Sequence, residues 1–389
     1  MTEAFAVVVG PARAEALTCR VLDLIPLEPI DRRATLHALL IELPKLPETP
    51  ITLIREPAPL HFGVPELPDL RAVATMLNLT PAELDWFADR GGWLRTAREP
   101  LSHYRYRHLP KSNGTRLVEA PKPRLREIQR TIAHRILSHI PAHPACHGFE
   151  KGCSAATFAA PHAQASVVVR MDLRDFFSTI GVARVRGVYR GCGYPDDVAR
   201  ILADLCTTAT ASTSLRTLDP RQRTLLKTPH LPQGGPTSPR LANLIAHNLD
   251  RRIAGYARRH NLIYTRYADD LALSGPAATD TDAAIWTLTT IARDEGFTIN
   301  PAKTLIRHQH QRQTLAGLVV NSHPAVPRPT YDDLRAILHN CRQTGAAAQN
   351  HHSHPDFRAH IYGLIAWIGE HSPARRQRLL AVADQICWD

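Results

Sequence analysis

In LREIQRTIAHRILSHI the apolar residues Leu125, Ile128, Ile132, Ile136 and Ile140 recur every three or four positions, with Arg126, Arg130 and Arg135 elsewhere. That spacing predicts an amphipathic helix. A second helical stripe, Leu241, Leu244, Ile245, Leu249 and Ile253, predicts one long helix capped by Thr237-Ser238-Pro239. The pattern is also helical from Leu70 to Trp93, where Thr80-Pro81-Ala82-Glu83 supplies an N-cap, a first-turn proline and a capping-box acid. Strand signals alternate with these. Ser166 to Met171 is a short apolar run ending at Asp172, and Tyr/Arg and Arg/Leu/Val alternations flank Asn113-Gly114 as in a hairpin. Tyr264 to Leu273 predicts a second hairpin with two acids at its turn; Phe297–Ile299 and Leu315–Val320 are further short strands. From Pro329 the chain turns helical, in two or three helices with a His-rich connection, whereas the first 70 or so residues are broken by proline into an irregular extension. The mixture predicts an α+β fold.

Composition narrows the partners. Lys and Arg outnumber Asp and Glu by 47 to 36, a net charge of +11 that favours a polyanion, nucleic acid ahead of an anionic membrane. The seven cysteines include no C-x-x-C pair and suggest neither a disulfide framework nor a thiolate zinc site. No run reaches the roughly 20 apolar residues of a membrane span, and no cationic segment precedes the short apolar run near Met1. A cytoplasmic protein with no membrane partner is expected. His352, His354 and His360 lack the helical spacing of a zinc site and read as a polar connection.

The sharpest chemical signal is Tyr267-Ala268-Asp269-Asp270. An adjacent acid pair alone is usually a solvated turn, but here apolar strand residues flank it on both sides. Crowded carboxylates repel one another unless cations compensate. Two divalent ions would do so, and such a pair can clamp both oxygens of an in-line phosphoryl displacement. The natural third acid is Asp172, at the end of the Val-rich strand. An all-oxygen set favours two Mg²⁺ ions, with Mn²⁺ as a substitute.

These residues stand in a series. Asp172-Leu173-Arg174-Asp175-Phe176-Phe177, then Leu231-Pro232-Gln233-Gly234-Gly235-Pro236-Thr237-Ser238-Pro239, then Tyr267-Ala268-Asp269-Asp270 resemble, in order and spacing, the polymerase motifs of reverse transcriptases. His147-Gly148-Phe149-Glu150-Lys151-Gly152-Cys153-Ser154 is similar to the H-G-F-x-x-G-x-S block of the bacterial enzymes. Gly296-Phe297-Thr298-Ile299-Asn300-Pro301-Ala302-Lys303-Thr304 is similar to G-F-x-x-N-x-x-K-T, and Leu315 to Asn321 to the strand before the thumb. The resemblance covers about residues 100 to 330 and is nearest the retron type, although Leu315-Ala316-Gly317 stands where retron enzymes typically carry Val-Thr-Gly.

The resemblance implies a right-hand polymerase: an N-terminal extension, partly helical (1–95), fingers (96–165), a palm with a small antiparallel sheet and fingers insertions (166–324), and a helical thumb (325–389). It implies that Asp172, Asp269 and Asp270 are catalytic, and that the metal site comprises Asp172, Leu173, Asp269 and Asp270. Phe177, beside Phe176, would crowd a 2′-hydroxyl and favour deoxynucleotides. Gln233 and Gly234 would line the nucleotide pocket, where a bare backbone approaches base and sugar. Lys111 and Arg116 would contact the triphosphate, and Lys303 would sit near the leaving pyrophosphate as a proton donor. The implied reaction is RNA-directed DNA synthesis from dNTPs, primed by a 3′-hydroxyl or an RNA 2′-hydroxyl, on a structured non-coding RNA and through an RNA–DNA hybrid. Antiphage defence with an effector protein is the implied setting. The rivals are a defence-associated enzyme outside the retrons, a template-independent nucleotidyl transferase, and a non-catalytic RNA-binding protein on the same scaffold.

Overall fold

The structure, a computed structural model, describes residues 60–94, 101–111 and 114–388; the Lys111 side chain and most of the expected extension before Leu60 lie outside it. What it describes of that extension is partly helical. Helices Leu70–Leu77 and Pro81–Ala88 are present, and the second opens with the expected box: the Thr80 hydroxyl accepts the Glu83 N–H at 3.2 Å, and the Glu83 carboxylate accepts the Thr80 N–H at 2.8 Å.

Strands β1 (Tyr104–Lys111) and β2 (Gly114–Pro121) pair antiparallel with Lys111 opposite Gly114, the register a two-residue hairpin connection requires. Helix Pro123–Arg135 follows and buries Leu125, Ile128 and Ile132, while Ile136 and Ile140 stay buried through the 3₁₀ turn Leu137–His139.

The central sheet joins β3 (Val167–Asp172), β4 (Ile263–Tyr267), β5 (Asp270–Gly275) and β6 (Leu305–His308) in the order β4-β5-β3-β6, all antiparallel. Side chains alternate across a strand, so its two faces enter different cores. Val169, Met171, Leu271 and Leu273 join the larger core with helices 123–135, Val182–Gly191, Asp196–Cys206 and His247–Arg259. Val168 and Ala272 join a second core with Leu315, Leu318, Val320 and the C-terminal helices Arg328–Thr344, Phe357–His371 and Pro373–Ala383. No helix among the described residues is long and apolar enough to cross a membrane.

Several expectations need correction. The long helix after Thr237 is two, Ser238–Ile245 and His247–Arg259, kinked at Ala246 where ψ is 1°. The i to i−4 ladder passes through the kink, from Ala246 to Ala242 at 3.0 Å and from Asp250 to Ala246 at 2.9 Å. Thr237 makes no side-chain cap, because its backbone (φ −83°, ψ −23°) is helical and not in the extended region a capping residue needs. Phe297–Ile299 is not a strand but a single bridge from Ile299 to Leu173, cut short by Pro301, which has no N–H to continue the ladder. The segment Leu315–Val320 is split into β7 (Thr314–Leu315) and β8 (Leu318–Val319), with Ala316 and Gly317 at positive φ between them. The C-terminal region holds four helices, counting the short Ala346–Gln349.

One buried histidine ties the helical face to the sheet. His162 lies between the Ser274 hydroxyl on Nδ1 and the Thr265 hydroxyl on Nε2, both at 2.7 Å. Burial pushes its pKa down from 6.5 to about 4. The unfolded chain therefore takes up a proton between those values before the folded one does. Stability present above pH 6.5 should fall by about 3 kcal/mol as pH drops through 4. Urea unfolding of wild type beside His162→Gln checks this: the wild-type midpoint should lose more over that range.

Candidate active site

Asp172 closes β3 and stands opposite Asp270, the first residue of β5; Asp269 occupies the β4–β5 turn. The sequence-predicted hairpin thus delivers its acid pair to the end of the neighbouring strand. Two backbone bonds fix the junction: Leu173 N–H donates to the Asp269 carbonyl and Asn300 N–H to the Asp172 carbonyl, each at 2.8 Å.

The three carboxylates have different partners. Asp172, 4% exposed, accepts from Lys303 Nζ at 2.6 Å. Asp270 takes Arg170 on both oxygens, with Nη2 at 2.8 Å from each and Nε at 3.1 Å from Oδ1. Asp269 has no ion pair among the described residues. Burial, and then the charges of Asp172 and Asp270, push its carboxyl above the ordinary range. Burial also raises Asp270, against the opposing pull of Arg170. Such crowding favours a bound cation. As the side chains stand, however, no three His, Cys, Asp or Glu among the described residues form a metal cage, and Asp270 is turned onto Arg170.

Behind the turn lies a buried ion pair. Arg266 and Asp250, both 0% exposed, meet through two bonds of 2.7 Å. Arg266 Nη1 also donates to the Asn243 side chain at 3.1 Å and to the Ala268 carbonyl at 2.9 Å. Ala268 sits at φ +55°, a left-handed conformation costing a non-glycine residue about 1–2 kcal/mol, and the guanidinium holds it there.

The His147–Ser154 block wraps the same turn. His147 N–H donates to the Arg266 carbonyl at 2.8 Å, and Asn243 Nδ2 donates to the Gly148 carbonyl at 2.7 Å. A Cβ on Gly148 would lie 2.4 Å from the Ala268 nitrogen, so only glycine lets the two backbones touch. Gly148→Ala should push the acid turn off the sheet, cutting nucleotide incorporation at least about tenfold while far-ultraviolet circular dichroism stays unchanged. Wild-type activity in that variant would show that the contact is dispensable.

A cavity of about 810 Å³ opens in front of the acids. It brings together Arg116, Asp172, Leu173, Phe176, Phe177, Gln233, Asp269 and Lys303 from the expected set. Phe176 is 4% exposed and packs on Phe297, ring centroids 5.5 Å apart, whereas Phe177 is half-buried at the wall. Gly234 is not on the lining. Its missing Cβ is required by Glu119, whose carbonyl oxygen would lie 2.9 Å away, and Glu119 N–H donates to the Gln233 carbonyl at 2.9 Å. Its bare backbone lets the loop dock on β2. Phe149, Arg174, Asp175 and Asn300, members of the ordered motifs that carried no role of their own, also line the cavity, and no local pattern points to Arg170 on Asp270. On helix His247–Arg259, Arg252 pairs with Asp294 and Glu295 at 2.8 and 2.9 Å.

A model of the reverse transcriptase (RNA-dependent DNA polymerase) family matches residues 109–320. Among similar proteins, the retron Mx65 reverse transcriptase of Myxococcus xanthus is 36% identical over 324 residues, 82% of this chain and 72% of the relative. The retron Mx162 reverse transcriptase of the same organism is 34% identical over 350 residues, 83% and 68% of the two chains. The retron Ec86 reverse transcriptase of Escherichia coli is 34% identical over 226 residues, 58% and 65%.

Proposed function

This chain belongs to the reverse transcriptase family, in its retron type, and from that premise we propose that it copies a cognate structured RNA into DNA by two-metal phosphoryl transfer. RNA-directed DNA polymerase activity follows from the family; the template and the chemistry are the proposal. One observation carries it: Asp172 and Asp269 face a cavity that also presents Lys303, Arg116, Gln233 and Phe177, with Asp270 beside them.

Asp172 and Asp269 would hold divalent cations, with the Leu173 backbone beside them, and Asp270 would join when it leaves Arg170. The oxygen-only donors suit Mg²⁺, with Mn²⁺ replacing it. When bound, the ions would supply the charge that activates a primer hydroxyl and offsets the leaving pyrophosphate. Lys303, with its side chain 42% exposed, can exchange Asp172 for a phosphate oxygen and deliver a proton there. Arg116, with Lys111 on the same hairpin, would grip the triphosphate. Phe177 would close the sugar side of the pocket against a 2′-hydroxyl. In this reading residues 96–165 are fingers, 166–324 palm and 325–389 thumb, and the RNA–DNA hybrid lies between them. The retron kinship carries the further reading of antiphage defence with an effector protein.

Primer extension on poly(rA)/oligo(dT) with dTTP and Mg²⁺, beside Asp269→Ala/Asp270→Ala protein, tests the chemistry. Extension by wild type alone supports it. Product of equal amount without the RNA strand would favour template-independent transfer. Copurifying RNA with neither attached nor complementary DNA, and no extension by wild type, would leave a binding protein.

A further inference from the structure

A second, smaller cavity of about 340 Å³ lies beside the acids, floored by Val168 and Leu305 and edged by Arg170, Arg307, Gln311 and Arg312. Its geometry follows from strand register. Val168 pairs with Arg307 and Arg170 with Leu305, so these side chains share the face of β3 that ends at Asp172. At roughly 3.4 Å per residue, Arg170 stands about 7 Å behind Asp172 and the Arg307 row about 14 Å behind it. Arg307 and Arg312 are exposed and have no acidic partner among the described residues. Three guanidinium groups around one hollow repel one another, and their planar donor forks suit phosphate oxygens. Among the described residues the only acid engaging any of them is Asp270, held on both oxygens by Arg170.

We propose that the Arg170–Asp270 ion pair is a latch, opened when a backbone phosphodiester of the bound primer strand seats among Arg170, Arg307 and Arg312. With Arg170 turned to the phosphate, both Asp270 oxygens are released toward Asp172 and Asp269. Without nucleic acid the third carboxylate stays neutralised, and the site binds divalent ions weakly. Primer binding and completion of the metal site are thereby coupled. By linkage each must strengthen the other by the same factor, typically about five- to a hundredfold. Arg170 is on this view a positioning residue. The inference rests on the polymerase reading above, since it requires a strand whose end lies at the acids.

The test measures Mn²⁺ affinity by electron paramagnetic resonance titration, with and without a saturating hybrid whose primer ends in a dideoxynucleotide. Metal bound by the hybrid alone is subtracted. Wild type should gain at least about fivefold in affinity on adding hybrid. Arg307→Gln/Arg312→Gln should lose that gain while keeping the wild-type affinity without hybrid. Its hybrid affinity should also fall less steeply with salt, by a slope of about 0.7–0.9 for the one phosphate lost. Arg170→Gln should bind Mn²⁺ without hybrid as tightly as wild type does with it, and Arg170→Lys should fall between. A merely structural role for Arg170 moves that affinity down, not up. The latch is overturned if the double variant keeps the full gain, or if Arg170→Gln retains wild-type metal affinity and wild-type response to hybrid. Wild type that neither binds nor extends any hybrid would remove the polymerase reading itself, a separate outcome from either of these.

Discussion

Asp269→Asn is expected to lower dTTP incorporation by about a thousandfold or more, on the order of 4 kcal/mol of transition-state stabilisation, without weakening hybrid binding measured in the absence of metal. Asparagine has nearly the shape of aspartate, and the Asp269 carbonyl that accepts from Leu173 N–H at 2.8 Å belongs to the backbone and remains. Only the charge goes. That charge is under strain in the free protein, since burial and the fields of Asp172 and Asp270 raise the Asp269 carboxyl above the ordinary range. Removing it should leave thermal stability without metal unchanged or slightly raised. Mg²⁺ should stabilise wild type but not the variant. Loss of activity with no loss of stability separates a metal-holding acid from a structural one. A variant that keeps a tenth of wild-type turnover would take Asp269 out of the proposed catalytic set.

Arg266→Ala should be the most damaging substitution for stability, at about 3–5 kcal/mol, because it leaves Asp250 charged and unpaired in the interior. The pair is wholly buried and carries two bonds of 2.7 Å. Arg266→Met/Asp250→Asn removes both charges and still leaves an acceptor for the Tyr264 hydroxyl, which donates to Asp250 at 2.8 Å in the wild type. Most of the lost stability should return. Activity should not, because the Ala268 carbonyl has lost the guanidinium that holds its left-handed turn. Urea unfolding and primer extension on the three proteins decide the matter. Full activity in the double variant would show that the turn keeps its shape unaided.

The contrast between the three acids of the site and their partners shows what a sequence can carry. Asp172, Asp269 and Asp270 were legible because a Val-rich run and an apolar hairpin place them at strand ends, where side-chain direction follows from alternation alone. Gln233, Phe177 and Lys303 came with ordered motifs, and the cavity gathers them as expected. The partners of the acids were not legible. Arg170 reads as a polar interruption of a buried strand, and nothing local says that it reaches diagonally to a carboxylate on β5. Gly148 reads as a loop glycine until the Ala268 nitrogen is found against it. β6 escaped notice because Leu305-Ile306-Arg307-His308 lies at a sheet edge and is largely exposed, so it lacks the apolar signature of a core strand. The kink at Ala246 lies within an unbroken apolar stripe, and periodicity is blind to it.

The order β4-β5-β3-β6 also governs when the site can exist during synthesis. β3 lies between two strands that both come from far downstream, so on the ribosome its Val167-Val168-Val169 run waits with both edges open until residue 275 has emerged, and with one open until residue 308. At translation speeds of about 5–20 residues per second, the longer wait is roughly 7 to 28 seconds. An unpaired, valine-rich strand is a template for association with other nascent chains over such an interval. Helix 123–135 and the β1–β2 hairpin, by contrast, are local in sequence and can form early. A chain released before β6 therefore carries all three acids on β3 and the β4–β5 hairpin, but one edge of its stickiest strand stays open.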